Sequence, residues 1–201
     1  LRLAVLISNK GTGTNLQAII DGIEKGVING KIAVVISDTE NALGLERAKR
    51  HNLNIEICPK KENLLPILKK YNLDFICLAG WKQIVLDEVI DAFLSKILNT
   101  HPGLIPDTMN GVVKNTDGTN GLWNKGKMTD KAIRNFLDNK ATYAGCTNHF
   151  LSYEFDFGPV LGRCFEKIRP GDTVDSLYAR LKKKENTLYV KVLAKLCRKQ
   201  T

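Results

Sequence analysis

The chain has 201 residues, 43% of them hydrophobic and 25% charged, a balance typical of a soluble globular protein of one or two small domains. Its net charge of +9 at pH 7 fits a solvated lysine-rich surface or attraction of small anions. The lysines are not accompanied by arginine-rich tracts or interleaved aromatic residues, so we expect no nucleic-acid partner. No apolar run approaches about 18 residues, so we expect no membrane span.

The first half of the chain alternates between strand-like and helix-like patterns. Short apolar runs predict buried strands at Arg2–Ser8, Ile32–Ile36, Asn54–Cys58, Asp74–Gly80 and Ile97–Thr100. The segments between them predict helices from Leu16 to near Gly26 and at Gly44–Arg50, Glu62–Lys70 and Asp87–Leu94. This alternation predicts an α/β fold with a doubly wound, mostly parallel, Rossmann-like sheet flanked by helices.

The alternation stops after the fifth predicted strand. Asp107–Lys127 contains four glycines and no periodicity, which is typical of a functional lid or a disordered insertion. The remainder predicts a helix, two antiparallel C-terminal strands and a closing helix, at Thr129–Leu137, Tyr143–Tyr153, Val160–Ile168 and Thr173–Leu196. We expect a single domain over residues 1–201, with residues 107–127 as a loop insertion.

The five cysteines are scattered and lack the CxxC spacing of redox or zinc motifs. They are Cys58, Cys77, Cys146, Cys164 and Cys197. Their odd number and apolar neighbours favour buried free thiols in a reducing compartment over disulfides. The three histidines are equally dispersed and lack metal-ligand spacing. We therefore expect a cytoplasmic protein without a metal.

An amide and an imidazole stand two residues apart where the fifth strand ends, at Asn99 and His101. Alternate residues of a strand point to the same side, so both side chains can face one cleft. Asp156 follows later in the sequence, before Phe157-Gly158-Pro159. If the three converged, they would supply oxyanion donors and a group that manages a proton, which suits acyl-type transfer.

A glycine turn, Gly11-Thr12-Gly13-Thr14-Asn15, lies between the first strand and the first helix. Backbone amides at a helix N-terminus form an anion site, and a single phosphate monoester suits this turn best. A structural turn with Thr14 as the helix cap explains the pattern almost as well. The turn is not a P-loop, because no Gly-Lys-Ser/Thr follows it. It also fails the dinucleotide fingerprint, because Leu16 replaces the third glycine.

Six motifs stand in the chain at residues 11–20 (GTGTNLQAII), 44–48 (GLERA), 78–80 (LAG), 98–106 (LNTHPGLIP), 145–149 (GCTNH) and 156–159 (DFGP). Together, and in this order, they resemble the phosphoribosylglycinamide formyltransferase branch of the 10-formyltetrahydrofolate-dependent formyltransferases. The resemblance covers nearly the whole chain outside residues 107–127. It implies transfer of a formyl group from 10-formyltetrahydrofolate to the amine of 5-phosphoribosylglycinamide in purine biosynthesis.

The resemblance also implies roles for individual residues. The family's catalytic Asn, His and Asp fall on Asn99, His101 and Asp156. The matching substrate-binding positions are Gly13, Thr14 and Asn15 for the phosphate and Glu185 for the ribose hydroxyls. The matching folate-binding positions are Gln83, Ile84, Val85, Leu151 and Asp156, and His149 matches a supporting histidine. Gln83 stands where relatives often carry Arg.

Related reactions provide alternatives. A 10-formyltetrahydrofolate hydrolase would use the same three residues with water as acceptor, but it normally carries an additional N-terminal domain. Methionyl-tRNA formyltransferase normally carries an additional C-terminal domain. A noncatalytic nucleotide-binding module would explain the sheet and the glycine turn, but not Asn99, His101 and Asp156 together.

We expect the partners to be small molecules only, with no membrane association, and we expect the protein to be a monomer or weak homodimer.

Overall fold

The strands and helices follow the predicted order. A computed structural model describes residues 1–8 and 12–198, so Gly11 of the predicted turn lies outside the described residues. Within the described residues the strands are Arg2–Ile7 (β1), Lys31–Ser37 (β2), Ile55–Ile57 (β3), Phe75–Leu78 (β4), Ile97–His101 (β5), Tyr143–Phe150 (β6) and Val160–Lys167 (β7). The α-helices are Thr14–Glu24 (α1), Leu45–Arg50 (α2), Leu64–Lys69 (α3), Asp87–Ala92 (α4), Thr129–Asp138 (α5) and Val174–Arg198 (α6). A 3-10 turn, Lys61–Asn63, precedes α3.

The strands are arranged in the order β3-β2-β1-β4-β5-β6-β7. Strand β1 is parallel to β2 and β4, β2 is parallel to β3, and β4 is parallel to β5. Strands β6 and β7 are antiparallel. The predicted fold class, a mostly parallel sheet with antiparallel C-terminal strands and flanking helices, is confirmed.

The chain divides into two compact units. The first contains Leu1–Asn99 and the C-terminal stretch that begins at Tyr189. Its central strand β1 is buried from Leu3 to Ile7, which explains the unbroken apolar run. The order of the strands reverses between β1 and β4, which is where open α/β sheets bind ligands beyond the strands' carboxyl ends. Strand β5 is parallel to β4, so its carboxyl-terminal half, which contains Asn99, lies at this same edge.

The second unit contains Thr100–Leu188. Its apolar core joins α5, β6 and α6 through Ile133, Phe136, Ala144, Leu177 and Leu181. Strand β6 ends at Phe150, three residues before the predicted end. There the Ser152 hydroxyl donates to the Phe157 carbonyl at 2.7 Å and closes a turn in place of strand pairing.

Residues 107–127, for which the sequence left both a lid and a disordered insertion open, pack against the end of β5. The backbone amide of Leu104 donates to the Leu122 carbonyl at 2.9 Å. The side-chain amide of Asn124, a residue only 5% exposed, donates to the Pro102 carbonyl at 3.0 Å. Buried polar groups that are paired in this way fix a loop in one arrangement. The segment is therefore an ordered part of the second unit.

None of the helices in the described part of the chain combines the length and apolarity that a membrane crossing requires.

Candidate active site

The structure brings His101 and Asp156 together. His101 is the last residue of β5 and is only 2% exposed, while Asp156 lies in the loop between β6 and β7. The imidazole Nδ1 lies 3.3 Å from Asp156 Oδ1. Asp156 has a left-handed backbone with φ of 50°, which is uncommon for a residue other than glycine. A strained residue at an ion pair is typical of a functional site.

Residues of the 107–127 segment complete the surroundings of this pair. The Trp123 backbone carbonyl lies 2.7 Å from His101 Nε2, and the Trp123 indole N–H donates to the Asp156 carbonyl at 2.9 Å. The Gly126 amide donates to Asp156 Oδ2 at 2.7 Å. The Trp123 ring also packs against Phe157 with ring centroids 5.7 Å apart. One short segment therefore holds both members of the pair.

Gly103 makes the contact between Trp123 and His101 possible. A Cβ atom on Gly103 would lie 1.8 Å from the Trp123 carbonyl oxygen and 2.9 Å from His101 Nε2. No side chain fits in that space. The absence of a side chain at Gly103 therefore leaves room for the Trp123 carbonyl beside His101 Nε2.

The surroundings of the pair keep the Asp156 carboxyl ionised. Both ring nitrogens of His101 face acceptor oxygens, Asp156 Oδ1 at Nδ1 and the Trp123 carbonyl at Nε2. Burial acts to raise the pKa of Asp156, but the hydrogen bond and charge of His101 outweigh it and lower that pKa. The Gly126 amide acts in the same direction. Asp156 is therefore a carboxylate at neutral pH.

His149, predicted to support the site, lies in β6 and is fully buried. Its Nδ1 lies 2.9 Å from the Phe150 carbonyl, which assigns the N–H to Nδ1. Burial lowers the pKa of His149 to about 4, and the nearby charge of His101 contributes. His149 is thus neutral at pH 7. Leu151, predicted to contact folate, follows β6 and is half-buried.

The glycine turn precedes α1 in the first unit. Gly13 has φ of 71°, and a Cβ there would lie 2.7 Å from Gly44 Cα, so this position requires glycine. Thr14 Oγ1 is buried and has no hydrogen-bond partner among the described residues. It does not cap the helix, because α1 has no side-chain cap. An unsatisfied hydroxyl at a helix N-terminus favours the ligand interpretation of the turn.

Arg47 lies near this turn and was not among the predicted site residues. Its guanidinium donates to the Thr12 carbonyl at 3.0 Å through Nε and to Gln17 Oε1 at 3.1 Å. A cation beside amides and a hydroxyl strengthens an anion site. Its place inside the motif of residues 44–48 is the one indication of this role in the sequence.

The segment predicted to hold folate follows β4 in the first unit. The Gln83 amide donates to the carbonyls of Cys58 and Pro59 at 3.3 and 3.0 Å. Its side chain therefore fixes the segment's path, which the sequence could not indicate. Ile84 is 65% exposed and Val85 is half-buried, so an apolar surface is available for a flat ring.

Glu185, the predicted ribose contact, lies in α6 within the second unit and is 7% exposed. Its Oε1 accepts from Lys182 Nζ at 2.6 Å. A buried carboxylate needs such a partner to remain charged. The predicted residues thus divide between the units. Gly13, Thr14, Asn15, Gln83, Ile84, Val85 and Asn99 lie in the first, and His101, His149, Leu151, Asp156 and Glu185 in the second.

The family model described as formyl transferase matches residues 1–193, and the chain belongs to this family. Within it, the chain is similar to proteins named phosphoribosylglycinamide formyltransferase. The chloroplastic one of Arabidopsis thaliana is 31% identical over 98% of this chain and 65% of its own length. The human trifunctional purine biosynthetic protein adenosine-3 is 30% identical over 94% of this chain and 17% of its own. The chain thus spans less than two thirds of these relatives.

Solved structures give the same result for the fold. Glycinamide ribonucleotide transformylase 1 from Symbiobacterium toebii superposes with a TM-score of 0.83 at 34% identity, covering 98% of this chain and 88% of that one.

Proposed function

We propose that the protein transfers the formyl group of 10-formyltetrahydrofolate to the primary amine of 5-phosphoribosylglycinamide, a step of purine biosynthesis. The contact between His101 and Asp156 carries this proposal, because a buried imidazole with Nδ1 3.3 Å from a carboxylate oxygen lies at the end of β5. The family membership and the names of the relatives support formyl transfer as the reaction.

In the proposed reaction the substrate's amine attacks the formyl carbon directly. A primary amine is a good nucleophile, so the chemistry needs no covalent enzyme intermediate. The attack places negative charge on the formyl oxygen. Asn99 would donate an amide N–H to this oxyanion, and His101 would stabilise it with positive charge. A well-placed donor contributes about 3–4 kcal/mol to such a step.

In the structure the Trp123 carbonyl occupies the position next to His101 Nε2 from which an oxyanion would accept a hydrogen bond. We infer that the oxygen of the substrate displaces this carbonyl and accepts the hydrogen bond from Nε2. Asp156 keeps the imidazole charged and oriented, and it relays the amine's proton towards the leaving nitrogen.

We assign each part of the two substrates to residues whose charge or polarity complements it. Thr14 Oγ1, the amides of Gly13 to Asn15 and the Arg47 guanidinium would hold the phosphate. Glu185 would accept from the ribose hydroxyls. Gln83, Ile84, Val85 and Leu151 would hold the pterin ring. We further propose that both units act together as one formyltransferase domain, as a monomer or weak homodimer in the cytoplasm, without nucleic-acid partners.

The proposal is tested by mixing the protein with 10-formyltetrahydrofolate, with and without 5-phosphoribosylglycinamide, and following release of tetrahydrofolate. We expect release only when the amine is present, together with a formylated product. Release without the amine would instead identify a hydrolase. Binding of the ribonucleotide without any release would identify a noncatalytic module.

A further inference from the structure

Two cysteines face each other across the antiparallel strands β6 and β7. Cys146 is directly opposite Cys164 in the register, and their sulfur atoms lie 2.8 Å apart. Residues directly opposite in an antiparallel pair have α-carbons about 4.5–5.5 Å apart, which is within the range that a disulfide spans. The S–S bond is about 2.0 Å long, so bond formation needs a movement of under about 1 Å.

The two thiols differ in environment. Cys146 is fully buried, while Cys164 is partly exposed. Burial raises the pKa of the Cys146 thiol well above its usual value. The hydrogen bond from Cys146 lowers the pKa of Cys164, and the charge of Lys184 acts in the same direction. Cys164 is therefore both the accessible thiol and the one that forms the reactive thiolate.

The remaining cysteines lack this arrangement. The Cys58 thiol donates to the Lys60 carbonyl at 3.3 Å, and Cys197 donates to the Asn29 carbonyl at 3.5 Å. Cys77 is fully buried, and burial raises its pKa to about 12. Within residues 1–8 and 12–198 all cysteines are free, and only the pair on β6 and β7 has sulfur atoms in contact.

We propose that Cys146 and Cys164 are a redox-modification site, which a low-molecular-weight disulfide such as glutathione disulfide converts into a cross-strand disulfide. The Cys164 thiolate attacks one sulfur of glutathione disulfide and expels glutathione thiolate. Cys146 then loses its proton and attacks the Cys164 sulfur of the mixed disulfide, which releases the second glutathione. Two cysteine thiols lose two protons and two electrons, and the electrons reduce glutathione disulfide to two thiols.

The bond would close a covalent ring around the candidate active-site loop. The two cysteines are 18 positions apart, and the chain between them contains His149 and Asp156. A ring of this size limits the unfolded chain more than the folded one, so oxidation should stabilise the protein. The site does not depend on the reaction proposed above.

The test uses the unmodified chain, incubated with glutathione disulfide at neutral pH, blocked with N-ethylmaleimide in denaturant, and digested without reduction. We expect a peptide pair linked through Cys146 and Cys164, alkylation of the other three cysteines, and a rise in the melting temperature that dithiothreitol reverses. Cys197→Ser should leave the linked pair unchanged, and Cys164→Ser should abolish it together with the rise.

Two results would overturn the proposal. One is a stable glutathione adduct on Cys164 while Cys146 remains open to alkylation after unfolding. The other is full alkylation of both cysteines after prolonged incubation. Both are read from the unmodified chain, so the outcome does not depend on whether any variant folds.

Discussion

The backbone carbonyl of Trp123 lies 2.7 Å from His101 Nε2, while Asp156 lies against the other ring nitrogen at 3.3 Å. The imidazole is thus held between a neutral acceptor and a charged one. The charged acceptor orients the ring through Nδ1, and the neutral one lies at Nε2, where a substrate oxygen can compete with it. This arrangement makes the roles of Asp156, Trp123 and Gly103 separately testable.

Asp156→Asn removes the negative charge beside His101 and the group that accepts the proton. We expect the turnover number to fall by about 10²–10⁴-fold, with a small change in KM for the ribonucleotide. Steady-state kinetics with both substrates measure this. Asp107→Asn is the matched control, because Asp107 is an exposed acid of the same unit that pairs with Arg163. Near wild-type turnover in the Asp156 variant would remove this residue from the mechanism.

Trp123→Phe removes the indole N–H that donates to the Asp156 carbonyl and keeps an aromatic ring against Phe157. The loss of one such hydrogen bond should reduce the free energy of unfolding by about 1 kcal/mol. We also expect several-fold slower turnover, since the Asp156 loop loses a support. Urea denaturation and kinetics measure both. In Trp81→Phe the lost N–H has no partner among the described residues, so an equal loss of stability there would contradict the assignment.

Gly103→Ala places a methyl group where the Trp123 carbonyl now lies. We expect the free energy of unfolding to fall by about 1–3 kcal/mol, because the loop must move away from His101. Turnover should change as well, since the cap on Nε2 is displaced. Gly111→Ala is the comparison, because its Cβ would meet the rotatable Thr108 hydroxyl at 2.9 Å and the nearest backbone atom, the Thr108 carbonyl oxygen, only at 3.1 Å. Equal unfolding midpoints for the two variants would argue against the close fit at position 103.

His149 should make the stability of the protein depend on pH. Its pKa is about 4 in the folded protein and near 6.5 in the unfolded chain, so the unfolded chain binds more protons between these values. The contribution is fully present above pH 6.5 and is lost as the pH falls towards 4, by about 3 kcal/mol. Unfolding free energies measured in this window should show a shallower slope for His149→Gln. An unchanged slope would show that His149 does not titrate in this way.

Arg47→Gln should weaken binding of the phosphorylated substrate. A charge-assisted hydrogen bond is worth about 1.5–3 kcal/mol, so we expect KM for the ribonucleotide to rise by about tenfold or more, with little change for the folate. Arg50→Gln is the matched control, since Arg50 lies on the same helix and its Nε donates to the Glu46 carbonyl. A KM that rises equally in both variants would indicate a general effect of surface charge.

The strand and helix order was predictable because each element carries a strong local pattern. Strand β1 is apolar at every position from Leu3 to Ile7, and such a run is typical of a buried parallel strand. The predicted end of β6 was wrong by three residues. The strand ends early because the Ser152 hydroxyl donates to the Phe157 carbonyl and closes a turn, and the pattern of apolar residues does not indicate such a contact. Whether residues 107–127 are ordered also depended on tertiary contacts, chiefly those of the buried Asn124.

In the candidate site, too, the features with a local sequence pattern could be predicted, and those that depend on tertiary contacts could not. Asn99 and His101 were recognisable because they are two residues apart at a strand end. The approach of Asp156 to His101 joins positions far apart in the chain; the residue types suggested it, and the resemblance to a family strengthened it. Trp123 contributes its backbone carbonyl, which lies beside His101 Nε2, and Arg47 contributes a guanidinium near the glycine turn. Every residue type has a backbone carbonyl, so the sequence could not predict the contact of Trp123.

The position of Trp123 also provides a built-in optical probe. The protein has two tryptophans, and only this indole bonds to the backbone of Asp156. Indole fluorescence responds to hydrogen bonding and to nearby charge, and Lys125 lies 5.1 Å above this ring. Emission from a variant in which Trp81 is replaced should therefore report, without any added dye, whether the carbonyl of residue 123 has left His101.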